Sequence, residues 1–259
     1  MIVPSKISSF LENKTGHADQ IGMSGSSVTV FDDFVLKTDR NIEKASKTVS
    51  VMLWMEGKIP APKLICHEVS DSKSWLLMSR VPGNMSCDEC FMEQPRLLLH
   101  CLADAMKLLW NTDTTGCPRT TTVMDLLQEA AHRVEQGLVD IENTEPETFG
   151  PGGFRSPEHL LQWLTDNIPE SRMILTHGDF CLPNIFIDHG SFSGFVDVDD
   201  FGIGEKWRDI ALCWRSLKHN CDGHYGKVHD IDPNRLFDYL EIQPDWDQIR
   251  YHMLLDELF

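Results

Sequence analysis

Near residue 180 the chain reads His177-Gly178-Asp179-Phe180-Cys181-Leu182-Pro183-Asn184, and further on it carries Asp197 in Gly194-Phe195-Val196-Asp197. An aspartate, an asparagine five residues on and a second aspartate thirteen beyond that supply one free base and two hard-oxygen donors. Those are the parts needed to move a phosphoryl group from magnesium-bound ATP to a hydroxyl. Asp197 is the stronger candidate magnesium ligand and Asn184 the second, because magnesium keeps several waters and completes its shell with carboxylates and phosphates. Asp179 is left off the metal. There it can accept the proton of an incoming hydroxyl, a task set more by position than by pKa.

Three such residues need a scaffold to converge. Ile185-Phe186-Ile187 and Gly194-Phe195-Val196 read as short buried strands, with the turn formers Asp188-His189-Gly190-Ser191 between them. The expectation is a hairpin with Ile187 opposite Gly194, which puts Asn184 opposite Asp197 and their side chains at its open end. Taken singly, Asn and Asp are ordinary turn residues and His177-Gly178-Asp179 could be a capped loop. The reading rests on the whole set at this spacing, followed by Trp207-Arg208-Asp209-Ile210-Ala211. His177 is expected to brace the loop rather than titrate, and Asp209 to cap or brace from the start of a helix. The chain has no Gly-Lys-Ser/Thr Walker loop, which argues against a P-loop kinase.

At these residues the chain resembles the protein-kinase-like small-molecule kinases, and most closely the aminoglycoside 3'-phosphotransferases of antibiotic resistance. The likeness extends from Gly22-Met23-Ser24 through Met52-Leu53-Trp54-Met55-Glu56-Gly57-Lys58-Ile59-Pro60 and Leu76-Leu77-Met78-Ser79 to the end, Leu254-Leu255-Asp256-Glu257-Leu258-Phe259. The resemblance implies a two-lobed α+β fold, with residues 1–82 as a nucleotide-binding lobe and hinge and 83–259 as a mainly helical lobe. It makes Asp179 the base and Asn184 and Asp197 the magnesium ligands. Lys37 looks like the lysine that holds the ATP phosphates, Ser24 like the flap over them, and Ser79 to Val81 like the hinge that meets adenine, with Met78 behind it. Asp256, Glu257 and the carboxylate of Phe259 look like acids that grip the antibiotic, with Arg215 in the same region. From the residues alone, Lys37 could equally be a surface lysine ending a strand; its place after a glycine-containing loop and before a helical segment favours phosphate.

Two positions depart from the family pattern. Where the family has a helix glutamate that pairs with the phosphate lysine, this chain has Thr48, so the pair is missing or Glu43 supplies it from a shifted helix. Where many relatives carry Gly-Arg after the metal aspartate, this chain has Val198-Asp199-Asp200. A carboxylate there adds repulsion toward phosphate, so slower turnover is expected. Three readings of Asp199 and Asp200 stay open: an added metal ligand, a contact to a cationic substrate, or a solvated acidic turn.

Composition narrows the class further. Among 259 residues, 40 acidic against 23 basic give a formal charge of −17, which repels nucleic acid, gains nothing from anionic lipid and attracts polycations. No apolar run is long enough to span a bilayer and the first residues lack a signal-peptide pattern, so a cytoplasmic protein is expected. Eight irregularly spaced cysteines, with Cys87 and Cys90 as the one CxxC, read as free thiols. The expected activity is phosphorylation of an aminoglycoside at the 3'-hydroxyl by ATP, with GTP left open, by a monomer or weak dimer. The alternatives are a kinase of another amino sugar or amino alcohol, and a weakly active nucleotide-binding homologue.

Along the chain, short apolar runs at Ser27 to Val30, Phe34 to Leu36 and Trp75 to Met78 alternate with a helical stretch near Ala45 to Glu56. Helical periodicity then takes over. It runs through Leu99, Leu102, Ala103, Met106, Leu109 and Trp110, and again through Met124, Leu127, Ala131 and Val134. Residues 143–156 read as a loop, with Glu145 and Glu147 treated as solvated. Pro157 to Leu164, and the stripe Trp207, Ile210, Ala211, Trp214 and Leu217, read as further buried helices.

Overall fold

Strands rich in β-branched and aromatic residues recur through the first part of the chain and pair into one antiparallel sheet. The structure is a computed structural model that describes residues 3–12, 14–18 and 27–259. Ser24 and the glycines beside it lie outside the described residues. After helix α1 (Ser5–Leu11) come β1 (His17–Ala18), β2 (Ser27–Val30), β3 (Phe34–Asp39), α2 (Ile42–Met55), β4 (Leu64–Ser70) and β5 (Lys73–Ser79). The sheet order is β1-β2-β3-β5-β4. Side chains alternate along β3, so Phe34 and Leu36 join Ile7, Phe31, Trp75 and Leu77 in a small core on one face. Val35 and Lys37 take the other face, with Lys37 in register with Leu76 and Val35 with Met78. Helix α2 begins at Ile42 rather than Ala45, because the Asn41 side chain accepts from the Lys44 N–H at 2.9 Å and caps it there. Strand β4, unmarked in the sequence reading, has a mixed exposed and half-buried pattern and is recruited by pairing with β5.

The second part is mainly helical. It contains β6 (Asn84–Met85), α3 (Glu89–Met92), α4 (Pro95–Asn111), α5 (Val123–Glu135), α6 (Pro157–Asp166), β7 (Met173–Thr176), β8 (Ile185–Asp188) and β9 (Ser191–Phe195). Then follow β10 (Gly202–Glu205), α7 (Lys206–Cys221), α8 (Leu236–Leu240) and α9 (Trp246–Asp256). On α4 the expected stripe Leu99, Leu102, Ala103, Met106 and Leu109 is buried in the main core, with Trp110 packed at its edge. On α5 the phase is different from the expected one. Val123, Leu126, Leu127 and Ala130 face inward while Met124 is 59% exposed. The cause is a capping box, in which Thr122 and Asp125 bond each other's backbone N–H and set where the helix starts. All eight cysteines are free thiols. Among the described residues, no helix is long and apolar enough to cross a membrane.

The β8–β9 hairpin forms, with a register that differs from the expected one. Phe186, not Ile187, lies opposite Gly194; Ile187 faces Phe192 and Asp188 faces Ser191. The two-residue loop His189-Gly190 has positive φ at both positions, a geometry whose twist suits a tight hairpin and fixes the Asp188–Ser191 pair. The extra residue is absorbed as a bulge near Ser193, whose hydroxyl donates to the Pro82 carbonyl at 2.6 Å. Asn184 therefore faces Val196, whose N–H donates to its carbonyl at 2.9 Å, and Asp197 sits one residue beyond.

Candidate active site

Asp179 is carried on the turn that leaves β7, and that turn is shaped by buried polar groups. Asp209, near the start of α7, accepts the N–H of His177 at 2.7 Å and of Gly178 at 2.9 Å, one on each carboxylate oxygen. His177, fully buried, accepts from the Asp179 N–H on Nδ1 at 3.3 Å, so its Nε2 carries the proton and donates to the Val196 carbonyl at 2.9 Å. Gly178 has φ +84°, and a Cβ there would come within 2.5 Å of the Asp200 carbonyl, so only glycine fits. Asp209→Ala is expected to destabilise the fold by about 3 kcal/mol or more, since it strands two buried N–H groups at once. Urea denaturation checks this, and a loss below about 1 kcal/mol would remove Asp209 as the brace.

The Asp179 carboxylate is held by two donors. The Asn184 amide donates to Oδ2 at 2.8 Å and also to the Asp179 carbonyl at 3.0 Å, while the Cys181 thiol donates to Oδ1 at 3.0 Å. Burial drives that thiol well above its ordinary pKa, and Asp179 beside it adds to the rise, so it stays protonated. With its NH₂ turned to Asp179, Asn184 keeps its carbonyl oxygen for a cation. Asp197 follows in the left-handed region at φ +52°, which aspartate tolerates better than most side chains, and is 39% exposed. Carboxylate and amide oxygens at this one end are donors that suit magnesium.

Lys37 reaches the same place from β3. Its ammonium lies 2.8 Å from Asp197 Oδ1 and 2.7 Å from Asp199 Oδ2. Burial alone would lower the Lys37 pKa, but the two carboxylates outweigh it and hold the group charged, well above its ordinary value. Glu43 does not supply this pair; it lies on the surface, 2.8 Å from Lys47. Thr48 is buried on α2 and donates to Asp199 Oδ1 at 3.2 Å. Asp200 is not a bare acid in the cleft. Lys44 of α2 stands 3.4 Å from it. Burial works to raise the Asp200 carboxyl, but Lys44, Arg208 and Arg119 outweigh that effect and hold it below its ordinary pKa. The expected repulsion is thereby offset by three cations. Neither the Lys37–Asp199 pair nor these cations could be read from local sequence. Met78, Ser79 and Val81 end β5 and begin the following segment; the Ser79 N–H already bonds the Lys63 carbonyl at 2.9 Å, and Val81 packs near Gly194.

Helix α7 joins the Asp179 turn to the C-terminus. Ser216 accepts the Leu182 N–H at 3.0 Å, and the preceding residue, Arg215, is bonded to Asp256 and lies 3.5 Å from Glu257. Arg208, two turns earlier on the same helix, approaches Asp256 at 3.9 Å. Glu257 also accepts the Glu145 N–H at 3.1 Å, and Glu145 itself is partly buried, 2.7 Å from His219, rather than solvated as expected. Glu147 is exposed. Phe259 lies at the surface with its main-chain oxygen bonded to Arg133 of α5. Asp256, Glu257 and Arg215 are thus brought together, while Phe259 is tied to a different helix.

Burial pushes the Glu257 carboxyl from an ordinary 4.5 up to about 7, against the pull of Arg215 and the Glu145 N–H. Between those values the folded chain holds the proton that the unfolded chain releases, so this group costs stability as pH rises through that window. Glu257→Gln is expected to gain melting temperature over wild type between about pH 5 and about pH 8. A difference that stays constant with pH would overturn that assignment.

An antiparallel sheet lobe above a helical lobe, with the Asp179 carboxylate, two cation-suited oxygens and a buried lysine meeting between them, has the layout of a kinase-like phosphotransferase. The chain belongs to the phosphotransferase enzyme family, whose model it matches over residues 23–251. It is similar to the aminoglycoside 3'-phosphotransferase of Enterococcus faecalis, with 36% identity over 81% of this chain and 76% of the relative. The corresponding enzyme of Campylobacter jejuni is 30% identical over 88% of this chain and 85% of its own length. Among solved structures, an aminoglycoside phosphotransferase of Streptomyces rimosus in complex with ADP and streptomycin superposes with a TM-score of 0.80 over 100% of this chain and 99% of that one, at 20% identity. That likeness supports the two-lobed α+β kinase-like fold.

Proposed function

We propose that this enzyme transfers the γ-phosphoryl group of ATP to the 3'-hydroxyl of an aminoglycoside of the kanamycin and neomycin type. The observation that carries the reading is the joining, through α7, of the Asp179 turn to the acidic C-terminal cluster: Ser216 grips the turn and Arg215 grips Asp256 and Glu257. A polycationic acceptor held by those acids lies beside the base. The relatives named aminoglycoside 3'-phosphotransferase support the substrate class.

In this reading residues 1–82 bind the nucleotide and residues 83–259 carry the base and the acceptor. Lys37 binds phosphate oxygens, Ser24 covers them, and the main chain from Ser79 to Val81 meets adenine with Met78 behind it. Asp197 and Asn184 would hold magnesium, which when bound neutralises charge on the phosphates. Asp179, oriented by Asn184 and Cys181, accepts the hydroxyl proton as oxygen approaches phosphorus. Asp256 and Glu257 bind ammonium groups, with Arg215 fixing their geometry and the Phe259 carboxylate at the rim.

Purified protein incubated with Mg·ATP and kanamycin is expected to release ADP and yield a 3'-phosphorylated product, while a 3'-deoxy analogue yields none. A susceptible bacterium expressing the chain should grow on kanamycin and neomycin. Absence of turnover with every aminoglycoside in a panel, together with turnover of an amino sugar or amino alcohol, would replace this substrate class with the other.

A further inference from the structure

We propose that Asp199 is the positioning residue for Lys37, with the Thr48 hydroxyl steering it, so that the counter-charge of the phosphate lysine has moved from helix α2 to the segment after Asp197. The inference rests on the kinase reading of the site and deepens it. Lys37 is buried between two carboxylates, and a buried ammonium that loses its counter-ion is strongly destabilised. Asp197 is the more exposed of the two, at 39% against 16%, and so the more open to a cation arriving in the cleft. Were Asp197 to hold a metal, Asp199 would be the carboxylate left to Lys37.

Asp199 is built for that task. One carboxylate oxygen faces Lys37 at 2.7 Å and the other lies 3.2 Å from the Thr48 hydroxyl, whose proton is shared with the Lys44 carbonyl at 3.1 Å. Its main-chain carbonyl is bonded to Arg119 of the helical lobe. With both carboxylate oxygens engaged, positioning accounts for its contacts and metal ligation does not. One turn before Thr48 on the same helix, Lys44 reaches Asp200, so α2 presents a hydroxyl and a cation to two acids on the loop. Lys37, Thr48 and Asp199 also line one small cavity with Ala45 and Leu76, so the three side chains share a common pocket.

The test is a four-protein cycle of wild type, Asp199→Asn, Thr48→Glu and the double variant, each first shown to be folded by circular dichroism. Mg·ATP affinity is measured by calorimetry without acceptor, and kcat and KM with kanamycin. Asp199→Asn is expected to weaken Mg·ATP affinity about tenfold and lower kcat/KM by up to about 10²-fold, the scale of a small misplacement of a catalytic group. Thr48→Glu alone, which sets a second carboxylate against Asp199, should also be impaired. The double variant should recover about tenfold over Asp199→Asn. Unchanged Mg·ATP affinity in Asp199→Asn would overturn the proposal. So would a double variant no better than Asp199→Asn while its magnesium requirement rises, since that pattern belongs to a metal ligand. If no aminoglycoside is turned over, the affinity cycle still decides the role of Asp199, so failure of the substrate reading is seen separately.

Discussion

Asp179→Ala is expected to lower kcat for kanamycin phosphorylation by about 10²-fold to 10⁴-fold, the usual contribution of a positioned general base. The affinity for Mg·ATP should change little, because Asp179 bonds Asn184 and Cys181 and does not touch Lys37, Asp197 or Asp199. Alanine is the informative substitution. An asparagine would turn its NH₂ toward one of the two donors that hold Asp179, and the resulting shift would mix a structural effect with the chemical one. After truncation to alanine, Asn184 keeps its bond to the residue 179 carbonyl and the turn keeps its brace at Asp209. Steady-state kinetics decide the matter: wild-type kcat in Asp179→Ala would remove it as the base, and a rise in KM for ATP alone would give it a binding role instead.

Asp197→Asn should be the more damaging change, lowering kcat/KM by about 10³-fold or more, as expected when charge stabilisation at the transferred phosphoryl group is lost. Asparagine is isosteric and the best tolerated non-glycine residue at a left-handed position, so the φ of +52° imposes no new strain. The lesion is therefore electrostatic. Lys37 keeps Asp199 as its partner, and the free enzyme should melt within a few degrees of wild type. What should disappear is the rise in melting temperature that Mg·ATP confers on the wild type. A variant that keeps both that rise and its activity would dismiss Asp197 as the principal cation ligand.

The two variants fail differently because the site has two halves, and those halves were unequally visible in the residue order. Asp179 and Asn184 are five residues apart on one turn, and their contact depends on local geometry that Gly178, Pro183 and the following strand enforce. The residue order set Asn184 against Asp197 across the hairpin and did not show its bond to Asp179. The hairpin itself was legible because the chain has little freedom over so short a span. Its register was not, since a bulge near Ser193 depends on the Pro82 carbonyl from another part of the chain. Helix stripes were readable where they were long, as on α4, and out of phase on α5, where the capping box at Thr122 set the start.

Charge balance in the cleft is a different kind of information. Lys37 and Asp199 are separated by 162 positions, and Thr48 and Asp199 by 151. Read one at a time, Thr48 and Asp200 looked like losses, because neither a missing acid nor an added one reveals its compensating partner. Folding against β3 and α2 brings the loop acids to Lys37 and Lys44, and a buried charge tolerates no arrangement in which it is left alone.

The linear order of residues was thus sufficient for the succession of strands and helices and for the hairpin between Asn184 and Asp197, because periodicity and short-range geometry are local properties, while the two-lobed architecture followed from the family resemblance. Which acid serves Lys37, how Asp200 is neutralised, and which helix holds Phe259 depended on the packed molecule. Electrostatic pairing is set by distance in space, and the chain's order does not encode that distance until its cores have formed.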